Sequence, residues 1–212
     1  MNIIPDTAKI TAIIPAYNEA NRIAKVIRST APYVDEILVV DDGSSDHTFN
    51  VVKTEGIKII RQDHAGYIAA IKNGFRESKN EILVTIDADG EHPSSEIPKL
   101  IAPILSGKAD LVLGKRNKIP RLSERIISRL TNLKYNTGDA CTGFRAIRRN
   151  LAIQLQLKGK CTCGILILEA QNLGARIVDV PITVSEIDKS RSISWHHCIQ
   201  IINIIAMLLK KS

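Results

Sequence analysis

Residues 82–93 read Ile82-Leu83-Val84-Thr85-Ile86-Asp87-Ala88-Asp89-Gly90-Glu91-His92-Pro93. An apolar run with the look of a buried strand passes directly into two carboxylates spaced two apart. Side chains alternate faces along a strand, so the spacing predicts that Asp87 and Asp89 point the same way at its C-terminal edge. Paired carboxylates there suit a hard divalent cation, Mg²⁺ or Mn²⁺, and such a cation would grip a diphosphate. The competing reading is a turn in which Asp and Gly only end the strand.

Two further apolar runs end in the same style. Residues 10–14 lead into Pro15-Ala16-Tyr17-Asn18-Glu19, and residues 37–40 lead into Asp41-Asp42-Gly43-Ser44-Ser45-Asp46. Short apolar strands separated by helical stretches predict a parallel sheet covered on both faces. Ligands of such sheets bind beyond the carboxyl ends of the strands, so all three polar clusters are expected along one crevice.

The alternation continues. Strands are expected at 10–14, 36–40, 57–61, 82–86 and 110–114, with helices at 19–30, 46–54, 66–78 and 94–106. The fold class is therefore α/β, a doubly wound, mostly parallel sheet flanked by helices. Beyond residue 115 the pattern loosens: helices are expected at 121–134 and 165–173, and a strand at 176–184. The 212 residues fit one domain, read as a site-bearing half (1–114), a basic half (115–192) and a C-terminal helix (193–212).

Charge divides along the same line. Residues 1–114 carry 12 Lys and Arg against 16 Asp and Glu, whereas residues 115–212 carry 17 against 6. A basic half beside an acidic one implies an anionic partner such as phosphate, an anionic lipid head group or nucleic acid. Nucleic acid is disfavoured, because the basic half has only Tyr135, Phe144 and Trp195 as aromatics. Within 121–134, Arg121, Arg125 and Arg129 form a basic stripe beside Leu122, Ile126 and Leu130, the alternative being an ordinary solvated face.

Residues 195–211 run from Trp195 through Ile199, Ile202, Ala206 and Leu209 to a Lys pair. That length is too short to span a bilayer, and its pattern suits a helix lying in a membrane interface. The alternatives are a helix that closes the core, or one that packs on a second copy in a homo-oligomer. Cys141, Cys161, Cys163 and Cys198 are too few and irregular for a disulfide scaffold. Cys161-Thr162-Cys163 with His196-His197-Cys198 can be drawn as a metal site, but buried free thiols are the commoner outcome. With no signal-peptide pattern, the expected compartment is the cytoplasm, on its membrane face.

Six motifs now stand in order: Pro15-Ala16-Tyr17-Asn18-Glu19, Val40-Asp41-Asp42-Gly43-Ser44, Gly66-x₃-Ala70-x₃-Gly74, Asp87-Ala88-Asp89-x₂-His92-Pro93, Asp110-Leu111-Val112-x-Gly114-x-Arg116 and Gly143-Phe144-Arg145. Over residues 8–195 the chain resembles the inverting family 2 glycosyltransferases of GT-A fold, in the branch of dolichol-phosphate mannose synthase and polyprenol-phosphate glycosyltransferases. The resemblance implies a GDP- or UDP-sugar donor, with mannose favoured, and a dolichyl or polyprenyl phosphate acceptor. By the same resemblance Pro15, Ala16, Tyr17, Glu19, Asp41 and Asp42 line the nucleoside pocket. Asp87 and Asp89, flanking Ala88, hold the cation on the diphosphate, and Glu91 adds a carboxylate where many relatives have Gln. Arg116 and Arg145 are expected at the acceptor phosphate, with Asp89 beside the reacting centre. Lys189 or Arg191 is expected in a loop that closes over the donor.

Inversion means direct attack on the anomeric carbon from the face opposite the leaving diphosphate. A hydroxyl acceptor needs a general base, whereas a phosphate monoester, with its second pKa at about 6, does not. With no His at an obvious base position, the residues favour a phosphate acceptor over a saccharide or protein hydroxyl. A nucleotidylyltransferase would want a Gly-rich basic loop after the first strand, and a phosphoacceptor receiver domain would begin with the acidic pair. A binding-only relative is the remaining alternative.

Overall fold

Ile13 and Ile14 are neighbours in the first apolar run, and both are fully buried, but in different cores. The computed structural model describes residues 8–119, 121–135, 138–159, 161–184 and 195–209. Its seven strands are β1 (Ile10–Ala16), β2 (Glu36–Asp41), β3 (Lys58–Arg61), β4 (Ile82–Thr85), β5 (Leu111–Arg116), β6 (Arg145–Arg148) and β7 (Ile177–Ile182). They form one sheet in the order β3-β2-β1-β4-β6-β5-β7. Pairing is parallel except at β6, which runs antiparallel to both neighbours.

One face of the sheet is covered by α1 (Ile23–Thr30), α2 (Thr48–Thr54) and α4 (Ile97–Leu105), which bury Ile14, Val39, Val84 and Val112. The other is covered by α3 (Tyr67–Glu77), α5 (Leu122–Asn132), the short α6 (Arg149–Ala152), α7 (Ile165–Asn172) and α8 (Trp195–Leu209), over Ile13, Leu83 and Leu111. Burial on both faces explains why these strands read as continuous apolar runs rather than alternating ones.

The chain leaves β1 for β2 and β3 on one side and returns to β4 on the other, making a topological switch between β1 and β4. Crevices open at such points beyond the strands' carboxyl ends. The Pro15–Glu19 and Asp87–Glu91 segments lie at those ends.

Two local differences from the sequence reading have physical causes. Helix α1 starts at Ile23 rather than 19, because residues 17–22 form a turn built on Asn18 in the left-handed region, φ +56°. Strand β6 is absent from the sequence reading because Arg145-Ala146-Ile147-Arg148 carries Arg at both ends and breaks the apolar pattern. The fold nonetheless buries Arg145, which is 2% exposed.

Candidate active site

The loops after β1 and β2 are stitched together by their own motif residues. Asn18 N–H donates to Ser44 Oγ at 2.9 Å, and Ser45 N–H donates to Asn18 Oδ1 at 2.9 Å. Glu19 N–H donates to Thr48 Oγ1 at 2.8 Å. Asp41 is fully buried and accepts from Ser44 N–H at 3.1 Å. Asp42 accepts from Ala65 and Gly66 N–H, both at 2.9 Å, and from Gln62 Nε2 at 2.7 Å. Gly43, at φ +74°, lets these loops close: a Cβ there would lie 2.8 Å from His64 N.

The result is a cavity of about 1030 Å³ bordered by Pro15, Ala16, Tyr17, Asp42, His64 and Tyr67. Tyr17, 46% exposed, stacks on His64 with ring centroids 4.3 Å apart. Such a partly exposed aromatic pair offers a shelf for a planar base. Glu19 faces away from that cavity's lining and pairs with Arg22 at 3.0 Å.

Tyr67 connects this cavity to the carboxylates. Its hydroxyl donates to Asp87 Oδ1 at 3.1 Å, and burial, reinforced by Asp87, raises its pKa well above the usual value, so it stays a donor. Asp87 also borders a second, smaller chamber of about 180 Å³ with Glu91, His92, Arg116, Gly143 and His197. Gly143 is packed so closely that a Cβ would occupy the space of the Asp87 carboxylate. His92 is stacked on Phe144 at 5.3 Å, with Nε2 3.9 Å from Asp87 Oδ2. Burial lowers the His92 pKa against the pull of Asp87 and Glu91, leaving a neutral ring at pH 7.

Asp89 lies in the turn after β4, where its Oδ1 accepts Glu91 N–H at 2.8 Å, and it borders a separate cavity against α1. The strand ends at Thr85, so the expected same-face pair becomes two carboxylates opening on different spaces. Ligand atoms of Asp87, Asp89 and Glu91 do not all fall within 4.8 Å of one another. Carboxylate oxygens are the donors that a hard divalent cation takes, and Asp87, its side chain 27% exposed and packed against Gly143, borders the small chamber together with Glu91.

Arg116 is held among carboxylates. Nε donates to Asp139 Oδ2 at 2.6 Å, and Nη2 donates to Asp139 Oδ1 at 3.1 Å and Glu124 Oε2 at 3.0 Å. Its Nη1 is 3.9 Å from Glu91. Burial opposes the charge, but Asp139, Glu124 and Glu91 outweigh it and hold the pKa above the usual arginine value. Arg145 stands behind the chamber wall, with Nη1 donating to Thr162 Oγ1 at 2.8 Å and Nε buried without a hydrogen bond. Lys189 and Arg191 lie outside the described residues.

Sequence reasoning overlooked Tyr67, His64 and Glu124, and it gave His92 no role. No spacing flags the first three. His92 was legible as the fourth position of Asp89-Gly90-Glu91-His92, but its turn into the chamber is set by Phe144 packing.

The model of "Glycosyl transferase family 2" matches residues 11–156, which include every loop just described. The chain belongs to this family. Among relatives of this glycosyltransferase, the UDP-N-acetylglucosamine–dolichyl-phosphate N-acetylglucosaminyltransferase of Methanococcus voltae is 30% identical, over 82% of this chain and 84% of that one. The undecaprenyl-phosphate 4-deoxy-4-formamido-L-arabinose transferase of Pseudomonas fluorescens (strain SBW25) is also 30% identical, over 67% of this chain. The chain spans only 47% of that relative's length. The glucosyl-3-phosphoglycerate synthase of Mycobacterium tuberculosis superposes with a TM-score of 0.78 at 24% identity, covering 96% of this chain and 80% of that one. A second structure of that synthase, holding Mn²⁺, UDP and phosphoglyceric acid, superposes with a TM-score of 0.77 at 22% identity, over 96% and 78%. The family 2 glycosyltransferase thus has the GT-A fold.

Proposed function

We propose that this family 2 glycosyltransferase moves a hexose or N-acetylhexosamine from a nucleotide sugar to a dolichyl or polyprenyl phosphate. The observation that carries the reading is the hydrogen bond from Tyr67, which lines the large cavity, to Asp87, which lines the small chamber. The relatives named for dolichyl and undecaprenyl phosphates support the acceptor. The Methanococcus voltae name puts UDP-N-acetylglucosamine first among donors to test, with GDP-mannose beside it.

The base lies on Tyr17 and His64, with Asp41 and Asp42 fixing the loops around it. Asp87, with Asp89 and Glu91 turned toward it, would hold Mg²⁺ or Mn²⁺ at the diphosphate. When bound, that cation offsets the charge of the departing nucleoside diphosphate. Tyr67 and Gly143 fix the Asp87 carboxylate from opposite sides. A doubly ionised acceptor phosphate forms the new bond to the anomeric carbon as the bond to the diphosphate breaks, and no proton has to be removed. Arg121 borders the small chamber with its Nη1 3.8 Å from Glu124 and its Nε buried without a hydrogen bond, and it offers that nitrogen to the phosphate. Arg116, saturated by carboxylates, positions Glu91 and the wall. Arg145 positions the wall from behind.

Among the described residues no helix is long and apolar enough to cross a membrane. Helix α8 exposes Ile202, Ile205 and Leu209, and helix α5, which packs on it, exposes Leu122 and Ile126. Arg125 and Arg129 are exposed on that same α5. An apolar stripe with flanking cations suits the surface of an anionic bilayer, so the lipid acceptor is met there, at the cytoplasmic face. The test is nucleoside diphosphate release from a panel of UDP- and GDP-sugars with Mn²⁺. Release should rise with polyprenyl phosphate in anionic vesicles, not with soluble saccharides, and should vanish with EDTA or in Asp89→Ala. Release driven by a saccharide hydroxyl instead would overturn the acceptor assignment.

A further inference from the structure

A second group of ligand-type side chains lies on the far wall of the small chamber, and the transfer chemistry does not use it. Cys161 and Cys163 flank Thr162 just before α7, and His197 lies in the first turn of α8. Their ligand atoms all fall within 4.8 Å of one another. Cys141, in the loop after Asp139, borders the same chamber, its thiol donating to the Glu124 carbonyl oxygen at 3.7 Å. All of these cysteines are free thiols.

Two thiols and an imidazole that converge this closely from separate chain segments form a ligand set assembled by the fold. The His197 ring is already oriented: Nδ1 is 2.8 Å from Ser123 Oγ, leaving Nε2 as the remaining ligand atom. A hydrogen bond on one ring nitrogen that frees the other is how metal-binding imidazoles are usually held.

We propose that Cys161, Cys163 and His197 hold one Zn²⁺ that ties α8 to the wall of the chamber, with the Cys141 thiol turning from Glu124 to take the fourth position. Sulfur and imidazole select a borderline-soft cation, in contrast to the all-oxygen set at Asp87 and Asp89. In a tetrahedral site with zinc–sulfur bonds of about 2.3 Å, ligand atoms lie roughly 3.7 Å apart, so Cys161, Cys163 and His197 need only a small contraction. Cys-x-Cys is an unusual zinc spacing, and the set is drawn from three separate chain segments. Only the fold brings them together, and it selects His197 rather than the exposed Cys198. Cys141, Cys163 and His197 also border the small chamber, so the zinc would set the position of its far wall.

The test is the metal content of untagged full chain, expressed with zinc and dialysed against a weak chelator, together with the absorption of the Co²⁺-exchanged protein. One equivalent of zinc is expected, unmoved by excess Mg²⁺, with intense thiolate-to-cobalt absorption. Cys163→Ser should bind at least about tenfold more weakly, whereas Cys198→Ser should bind as wild type. If Cys163→Ser does not fold, His197→Gln and the wild-type cobalt spectrum decide. Wild-type protein without zinc and without thiolate–cobalt bands overturns the proposal, as does equal retention by Cys163→Ser or by a folded His197→Gln. Neither readout involves sugar transfer, so failure here leaves the proposed reaction standing, and the converse holds.

Discussion

Gly143 leaves room for one carboxylate. A methyl group at that position would displace Asp87, so Gly143→Ala should lower kcat about hundredfold while circular dichroism stays that of wild type. Unchanged transfer would show that the Asp87 position is not critical. At this scale the motifs named the right loops but not always the right tasks. Asp41 and Asp42 read as ligand contacts; the Asp42 carboxylate is taken by Ala65, Gly66 and Gln62, whereas Asp41 gives one oxygen to Ser44 and keeps the other buried without a hydrogen bond. Arg116 read as a phosphate ligand, yet its fork is taken by Asp139 and Glu124. A residue type and its position say that a charge is wanted; they do not say whether a protein carboxylate or a ligand answers it.

Helix α3 shows what an element's spacing can carry. The Gly66–Ala70–Gly74 period predicts close approach to the sheet, and a Cβ at Gly74 would strike the Ile13 side chain in β1. Gly74→Ala should therefore cost about 1–3 kcal/mol in urea unfolding, overriding a helix-propensity gain of about 1 kcal/mol. A stabilised variant would contradict the tight packing. The start of β5 is tied to that of β7 by Asp110, which accepts from Arg176 Nε at 2.9 Å and Nη2 at 2.8 Å. The hydrogen bonds from Arg176 hold the Asp110 pKa at about 2, below its ordinary 3.8. A depressed carboxylate pKa stabilises the fold above the ordinary value, and the contribution disappears as pH falls through the folded-state value. Water reaches this pair, so the contribution is roughly 1 kcal/mol. Asp110→Asn should lose it at neutral pH and converge on wild type at about pH 2, as read by denaturant unfolding at each pH. A constant difference between the two across that range would show that charge is not its source. Strand β6 marks the limit of reading elements from sequence, because a buried Arg in a central strand breaks the apolar pattern that announces the others.

At the scale of the whole molecule, the alternation of apolar runs and helical periods was enough to announce a mostly parallel α/β sheet with its polar loops at one edge. The order β3-β2-β1-β4 confirms why those loops meet. What the sequence could not show is how the second half completes the chamber, because α5, β6 and α8 contribute through long-range packing rather than local spacing. That packing sets α5 against α8, so that Arg121 at the start of α5 and His197 in α8 both border the chamber. The central claim is that a donor bound beside Tyr17 and Asp87 gives its sugar to a lipid phosphate. The decisive measurement incubates the chain with labelled UDP-N-acetylglucosamine or GDP-mannose, Mn²⁺ and polyprenyl phosphate, and counts label in the organic phase. Label that enters the lipid, and is lost with EDTA, is the predicted result. Label that stays aqueous with both donors, while a soluble saccharide becomes glycosylated, would contradict the account.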